Sequence, residues 1–350
     1  MKALLFVTGR GVGGDAVIAL NTARALSEKG FECEFALDHQ APGYLFKKKG
    51  IDWHKTNIPQ AGGHAASKMT ILKAGVKTLR ASREAAKLCR DVKTDVVVGV
   101  IGGGAIIGCT AARMARIPAV GMVATPTDSK IVSQMTTTLA LPESPLFGYK
   151  TKKNVHSSYL PINPDITGGN KKNALKFMPD NFDKDLPTIL FSSGSTLFEK
   201  MAKAPSVVKD DLDANLLVVG APLEEEYGDY LKSVMDLGYV DNLPDLYRLA
   251  DLTVLSDDGL MIHEALACQL PTIALTRVKY GRYHNMTSIF PGAVLESDLE
   301  DLSEKIGQIL KNREKIEKST QYYASKIMEA PSKIAEVVYQ KYGEYNLKKI

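Results

Sequence analysis

Three groups of residues have the types and spacing for chemistry. The first is Ser256-Asp257-Asp258-Gly259, which follows the apolar run Leu252–Leu255 and precedes Leu260-Met261-Ile262-His263-Glu264. A buried strand, a polar turn and a helix in that order present unpaired N–H groups and a positive dipole end to an anion. Ser256 or one of the aspartates is the expected N-cap. Glu264 lies one to two turns inside that helix. A carboxylate there can accept two vicinal hydroxyls, as in ribose binding, or it can sit on a solvated face. The second group is Ser192-Ser193-Gly194-Ser195-Thr196, after the strand pattern Thr188–Phe191. It reads as a small-residue loop opening a helix. The amides of Gly194, Ser195 and Thr196 then either receive phosphate or form an ordinary helix cap.

The third group lies in the amino-terminal half. Ala3–Val7 is a strand, and Thr8-Gly9-Arg10-Gly11-Val12-Gly13-Gly14-Asp15 is a glycine-rich turn before a helix from Ala16 to Lys29. Glycines such as Gly13 and Gly14 let a ligand approach the backbone. The spacing does not meet G-x-G-x-x-G in register, although Asp38 stands near the end of the next strand. A second glycine loop, Gly102-Gly103-Gly104, joins the strand Asp95–Val100 to the helix Ala105–Arg116. It either receives a diphosphate at the helix N-terminus or allows close packing of helix on strand.

Strands alternating with helices, twice over, predict an α/β protein with two Rossmann-like domains on parallel sheets. The 350 residues suffice for two cores, and 45% apolar with 24% charged residues is a globular composition. A net charge of +4 without a basic stripe interleaved with aromatics gives no sign of nucleic acid. The four cysteines have no metal-ligand or CxxC spacing and are expected as free thiols in a reducing cytoplasm. The apolar start Met1–Val7 is interrupted by Gly9, so a signal peptide is not expected. Leu160–Gly169, rich in Pro and Gly, reads as the linker. Thr136–Lys153 reads as irregular surface, and Ala330-Pro331-Ser332 as a helix break before a last helix Lys333–Tyr342.

The string GYVDNLPDLYRLADLTVLSDDGLMIHEALACQLPTIAL, from Gly238 to Leu275, resembles the nucleotide-sugar half of the MurG-like GT-B glycosyltransferases of family 28. The resemblance extends over nearly the whole chain. It implies two facing Rossmann-like domains: residues 1–163 for the acceptor, 164–330 for the nucleotide-sugar, and a helix in 331–350 that packs back on the first. It implies an inverting transfer of a sugar, an N-acetylhexosamine by family default, from a UDP-sugar to a lipid-linked envelope precursor. A soluble acceptor or an archaeal pseudomurein-like wall are further acceptor classes. On the donor side it points to Gly194, Ser195, Thr196, Tyr239, Val240, Gly259, Leu260, Glu264, Arg282, His284 and Asn285. On the acceptor side it points to Gly13, Gly14, Gly103, Gly104 and Thr125.

No cofactor and no metal are expected, since no DxD-type pair stands in the usual context. The chain departs from the family in three places. Asp15 stands where the family has a histidine; the GRGVGGD loop resembles sterol and antibiotic transferases of family 1, in which an aspartate is the base. Asp15 is therefore the expected general base, with helix capping as its other reading. Asn163 replaces an arginine near the phosphates, and Asp258 replaces a glycine. These departures keep open a catalytically silent GT-B partner subunit. A non-hydrolysing UDP-sugar 2-epimerase shares the fold. The helix expected over Ser67–Arg90 has an apolar side of Met69, Ile71, Leu72, Val76 and Leu79. Its Lys73, Lys77, Arg80 and Lys87 form one face. That face is either solvated or bound to anionic headgroups, the latter fitting a peripheral enzyme on the cytoplasmic membrane face.

Overall fold

The structure is a computed structural model. It describes all residues except 10–12, 60–67, 145–146, 148–152, 258, 280–283 and 348–350; the side chains of 68–76 and 315 also lie outside the description. The chain divides into two compact units, Met1–Pro161 with Glu329–Ile350, and Ile162–Met328.

The first unit opens with β1 (Lys2–Val7), α1 (Gly14–Glu28), β2 (Glu32–Asp38), α2 (Tyr44–Lys48), β3 (His54–Thr56) and α3 (Lys68–Asp91). It continues with β4 (Val96–Val100), α4 (Gly103–Ala115), β5 (Ala119–Val123), α5 (Pro126–Val132), β6 (Thr137–Ala140) and β7 (Val155–Ser157). All seven strands are parallel, in the order β3-β2-β1-β4-β5-β6-β7. Helices cover such a sheet on both faces, so its strands are apolar on both. β1, β4 and β5 are buried almost throughout.

The second unit holds α6 (Lys171–Ala174), β8 (Thr188–Leu197), α7 (Glu199–Val208), β9 (Asn215–Pro222) and β10 (Met235–Asp236). Then come α8 (Leu243–Leu249), β11 (Leu252–Ser256), α9 (Leu260–Ala267), β12 (Thr272–Leu275), α10 (Met286–Ile289), β13 (Val294–Ser297), α11 (Leu302–Lys311) and α12 (Arg313–Leu347). Its six strands are parallel, in the order β10-β9-β8-β11-β12-β13. Ile189, Phe191, Val218, Leu252, Val254 and Ile273 form the centre of its core.

Several expectations are corrected. The stretch expected as irregular surface contains β6, whose four residues Thr137–Ala140 are all buried. Two threonines and a short length hide its apolar character. Pro331 does not break the last helix but lies inside the 35-residue α12. Ile327, Ala330, Ile334, Ala335 and Val338 keep helical spacing on both sides of it and are all buried. Their burial offsets the one backbone hydrogen bond that proline removes. α12 gives its first residues to the second unit and the segment from Glu329 to the first. There Phe31 meets the rings of Tyr339 and Tyr342 edge-on, and Lys29 pairs with Glu336 at 2.6 Å.

On α3, Leu79 was expected on the apolar side but is 44% exposed. The buried face over the described half is Ala81, Ala85, Ala86 and Cys89. Small residues let α3 lie close to α4. Met69, Ile71, Leu72 and Val76 fall among the side chains outside the description.

Candidate functional site

In an open parallel sheet, ligands bind beyond the carboxyl ends of the strands, where the strand order reverses. Each unit has one such point. In the first it lies between β1 and β4; in the second, between β8 and β11. Gly13, Gly14 and Asp15 follow β1, Gly103 and Gly104 follow β4, Gly194–Thr196 lie at the end of β8, and Gly259 and Leu260 follow β11, whereas Thr125 follows β5, Tyr239 and Val240 follow β10, and His284 and Asn285 follow β12.

Asp15 sits in the first turn of α1, whose N-cap is Gly13 with no side-chain cap. Asp15 is therefore not the cap that one reading expected. Its Oδ2 accepts the Gly9 N–H at 2.9 Å and its Oδ1 accepts the Ala16 N–H at 2.8 Å. The carboxylate ties the start of the glycine loop to the start of the helix. Burial pushes its pKa up, against the opposing pull of those backbone donors. Each carboxylate oxygen keeps a second acceptor direction. A partly buried carboxylate with raised pKa is a suitable general base. Gly13 and Gly14 are exposed beside it.

Beyond β4, Ile101 and Gly102 both have positive φ, 43° and 56°, and Gly102 caps α4. Gly103 comes under the loop after β3: a Cβ on it would lie 2.9 Å from the Pro59 carbonyl oxygen and 3.6 Å from Thr8 Oγ1. A Cβ on Gly104 would lie 2.5 Å from the Phe6 carbonyl oxygen. The packing explanation for these glycines is thus satisfied by geometry. The same approach brings the α4 N-terminus beside the loop after β1, at the reversal point. Asp38 joins this arrangement structurally, since its carboxylate accepts the N–H groups of Gln40 and Ile58. Thr125 is a helix cap: its hydroxyl accepts the Asp128 N–H at 3.1 Å, at the start of α5. Asp128 is buried, and burial raises its pKa.

In the second unit the expected loop Gly194-Ser195-Thr196 is strand. β8 runs on to Leu197 with a bulge between Ser192 and Thr196, and α7 starts only at Glu199. Ser192 Oγ donates to the Val219 carbonyl at 2.8 Å and accepts the Gly194 N–H at 3.1 Å. Ser193 Oγ donates to the Thr196 carbonyl and accepts the Phe198 N–H. Two serine hydroxyls thus hold a bulge that alternation alone did not reveal. The Gly194 amide is engaged inside it. Gly194 has φ +103°, open to glycine. Gly194, Ser195 and Thr196 are partly exposed between the buried Ser193 and Leu197.

After β11, the N-cap of α9 is Gly259, which makes no side-chain capping bond. The expected cap at Ser256 or Asp257 is corrected; Asp257 instead accepts the Arg277 N–H at 3.0 Å. That bond ties the turn after β11 to the turn after β12. Asp258 lies outside the described residues. Gly259 and Leu260 are partly exposed at the helix start.

Glu264 is partly buried on α9. Burial raises its carboxyl to about 7, with the nearby Tyr247 hydroxyl pulling the other way. Tyr247, on α8, is fully buried. His263, the next residue inward, is buried edge-on to Phe290 at 5.2 Å, and burial depresses its pKa to about 3. Glu264 is thus partly buried rather than on a fully solvated helix face.

Tyr239 is 56% exposed and Val240 partly exposed, between β10 and α8. The Gly238 carbonyl just before them accepts the Gly220 N–H at 2.8 Å. Asn285 caps α10: its Oδ1 accepts the Ser288 N–H at 2.7 Å and its Nδ2 donates to Glu296 Oε2 at 3.1 Å. His284 beside it is partly buried, and Arg282 lies outside the described residues. Asn163 accepts the Asp165 N–H at the head of a 3-10 turn. Among the described residues, no helix is long and apolar enough to cross a membrane, and no cluster of three or more His, Cys, Asp or Glu could hold a metal.

Two family models match the chain. Residues 5–121 match the glycosyltransferase family 28 N-terminal domain, and residues 196–312 match the glycosyl transferases group 1 family. Among curated proteins, the chain is 24% identical over 362 residues to the UDP-N-acetylglucosamine–N-acetylmuramyl-(pentapeptide) pyrophosphoryl-undecaprenol N-acetylglucosamine transferase of Histophilus somni, covering 96% of this chain and 97% of that protein. Among solved structures it resembles Acinetobacter baumannii MurG, with a TM-score of 0.67 at 16% identity over 97% of this chain and 99% of the other. It also resembles the UDP-GlcNAc 2-epimerase of Neisseria meningitidis bound to UDP-GlcNAc, with a TM-score of 0.65 at 15% identity over 97% and 100%.

Proposed function

We propose that this chain, a MurG-like glycosyltransferase of the GT-B fold, moves an N-acetylhexosamine from a UDP-sugar to a lipid-linked envelope precursor. One observation carries the donor half: a buried-side carboxylate, Glu264, stands on the helix that starts, without a side-chain cap, at the strand-order reversal of the second unit. A nucleoside diphosphate offers a ribose diol for the carboxylate and phosphates for the helix N-terminus. Gly259, Leu260, Ser195 and Thr196 would border the phosphates, Tyr239 and Val240 the base, and Arg282 and His284 the sugar. Asn285 is held by its capping bonds and would act by placing His284.

In the first unit Asp15 would act as general base. It would accept the proton of the acceptor hydroxyl as that oxygen attacks the anomeric carbon. The bond to the diphosphate breaks as the new glycosidic bond forms, and the configuration inverts. Helix N-termini would take up the charge on the departing diphosphate. The acceptor would lie near Gly13, Gly14, Gly103, Gly104 and Thr125. Residues 1–161 would carry acceptor recognition and 162–328 donor recognition. The lipid-linked acceptor draws support from the activity of the Histophilus relative. Such an acceptor would put the enzyme at the cytoplasmic membrane face, with Lys73, Lys77, Arg80 and Lys87 against anionic headgroups.

Release of UDP from UDP-N-acetylglucosamine, with and without an undecaprenyl-diphosphate-linked acceptor, tests the proposal. A transferase releases UDP only with the acceptor present. An epimerase interconverts the sugar with little UDP released, and a silent subunit does neither; either of those results overturns it.

A further inference from the structure

The second unit holds a cavity of about 590 Å³ that the transferase reading does not use. Thr188, the first residue of β8, and Asp251, just before β11, line it. It therefore lies at the opposite end of those two strands from Gly194 and Gly259. Its apolar lining is Leu175, Phe182, Leu186, Leu249 and Leu310. The charged lining is Lys171, Lys184 and Arg313 with Asp185 and Asp251. A cavity of this volume, mostly apolar with a few charged groups, has the size and character of a small-molecule site.

Its walls are held by contacts of their own. Asn215, buried at the start of β9, accepts the Asp183 N–H at 3.0 Å. Its Nδ2 donates to the carbonyls of Asp183 at 2.6 Å and Leu186 at 3.2 Å. Those bonds fix the segment that carries Phe182, Lys184 and Leu186. The Asn170 N–H donates to Asp245 Oδ1 at 2.6 Å, and a Cβ on Gly169 would fall 1.9 Å from the Pro244 carbonyl oxygen. The start of α6, with Lys171, is thereby seated on α8. Arg313, at the start of α12, pairs with Asp251 at 2.8 Å, and Asp251 also accepts the Thr188 N–H at 3.0 Å. A site with fixed walls loses little freedom when a ligand enters.

The charges are unevenly committed. Arg313 is engaged by Asp251 and, through Nε, by Glu317 at 2.9 Å. Lys171 and Lys184 are exposed and enter no ion pair among the described residues. The one carboxylate left against them is the exposed Asp185. Leu249 is buried, and Leu175, Phe182, Leu186 and Leu310 are partly buried, so the apolar lining lies deeper than the lysines. An organic cation is repelled by such a mouth, and a sugar leaves its hydroxyls unpaired on such a lining. An acidic head on a short aliphatic chain suits both parts, with ammonium groups as point charges for the head. We propose that this cavity binds a small amphiphilic anion, with Lys171 and Lys184 at its acidic head and Leu175, Phe182 and Leu310 along its apolar chain. The donor and acceptor residues take no part in it.

The test is calorimetric titration of the full chain with decyl phosphate below its micelle concentration, beside inorganic phosphate and decyltrimethylammonium. Decyl phosphate should bind at least about tenfold more tightly than inorganic phosphate, since only it fills the apolar lining. Decyltrimethylammonium should not bind. Lys171→Glu/Lys184→Glu should weaken decyl phosphate by about tenfold or more. Both lysines are exposed, so the melting temperature of the free double variant should stay within about 2 °C of wild type. Leu175→Asn should weaken decyl phosphate by about tenfold and leave inorganic phosphate unaffected. Unchanged affinity for decyl phosphate in the double variant, equal binding of inorganic phosphate and decyl phosphate, or binding of decyltrimethylammonium overturns the proposal. Each of those results leaves the donor and acceptor reading standing.

Discussion

Asp15 and Gly9 close the first glycine loop on itself, Oδ2 of the one accepting the N–H of the other at 2.9 Å. The contact joins the end of a buried strand to the first turn of a helix. It also fixes a carboxylate at the reversal point of the first sheet. If Asp15 also takes the acceptor's proton, as proposed, changing it has two separable consequences.

Asp15→Asn keeps an acceptor and the shape of the side chain. Transfer should fall by about 10²–10⁴-fold, the usual worth of a general base. Affinity for UDP should stay within twofold, since the proposed donor residues lie on the other unit. Because burial raises the Asp15 pKa, the acid limb of kcat against pH should lie above the ordinary carboxylate range. Activity should rise with pH as the carboxyl loses its proton. Steady-state kinetics across pH 4–8, with calorimetric UDP binding for the variant, reads both.

Glu264 gives a stability prediction of defined sign. Its pKa in the folded protein is raised to about 7 from 4.5. The folded state therefore binds the proton more tightly than the unfolded chain. The associated stability is full below about pH 4.5 and is lost as pH rises through 7. Glu264→Gln, which cannot ionise, should gain on wild type by on the order of 2–3 kcal/mol between pH 4.5 and 8, at about 1.4 kcal/mol per pKa unit. Thermal melts of both proteins across that range measure it. A constant difference in melting temperature would contradict the burial of this carboxylate.

Gly104 tests the close approach at the acceptor-side loop. An alanine there puts Cβ 2.5 Å from the Phe6 carbonyl oxygen, a backbone atom of the central strand. Gly104→Ala should destabilise by about 2–3 kcal/mol. Gly14→Ala, where a Cβ meets nothing within 4 Å, should cost less than about 1 kcal/mol on the same scale. Urea unfolding of the two variants gives the contrast.

The basic side of α3 separates the membrane reading from a solvated face. Lys77, Arg80 and Lys87 are exposed, as are Arg83 and Arg90; the Lys73 side chain lies outside the described residues. Replacing Lys77, Arg80 and Lys87 with glutamate should abolish flotation with vesicles rich in phosphatidylglycerol, each cation being worth about 1 kcal/mol. Activity on a short-chain, water-soluble acceptor should be retained. Unchanged flotation would assign the face to solvent.

The alternation of buried runs with helical periods was legible because parallel strands are apolar on both faces. The order strand, turn, helix, strand from Leu252 to Leu275 is found as read. β6 escaped because two threonines, both buried, interrupt its apolar run. The Ser192–Thr196 bulge escaped for another reason. Its shape rests on the Ser192 hydroxyl bonded to Val219 across the sheet and the Ser193 hydroxyl bonded to Thr196 within the strand, and Gly-Ser-Thr reads as a loop by local rules. Pro331 misled because a helix stabilised by packing tolerates a proline that an isolated helix does not. Glu264 could be placed on its helix from spacing. How far it is buried depends on tertiary packing, which no spacing rule reads.

The most direct measurement is a thermal-shift panel of UDP, UDP-N-acetylglucosamine, GDP, GDP-mannose and ADP-glucose on wild type and Glu264→Ala. Uridine nucleotides should raise the melting temperature of wild type, with UDP-N-acetylglucosamine among them. The shift should disappear in Glu264→Ala at the same concentrations. An equal shift in the two proteins, or a response to none of the nucleotides, would contradict a donor site built on Glu264.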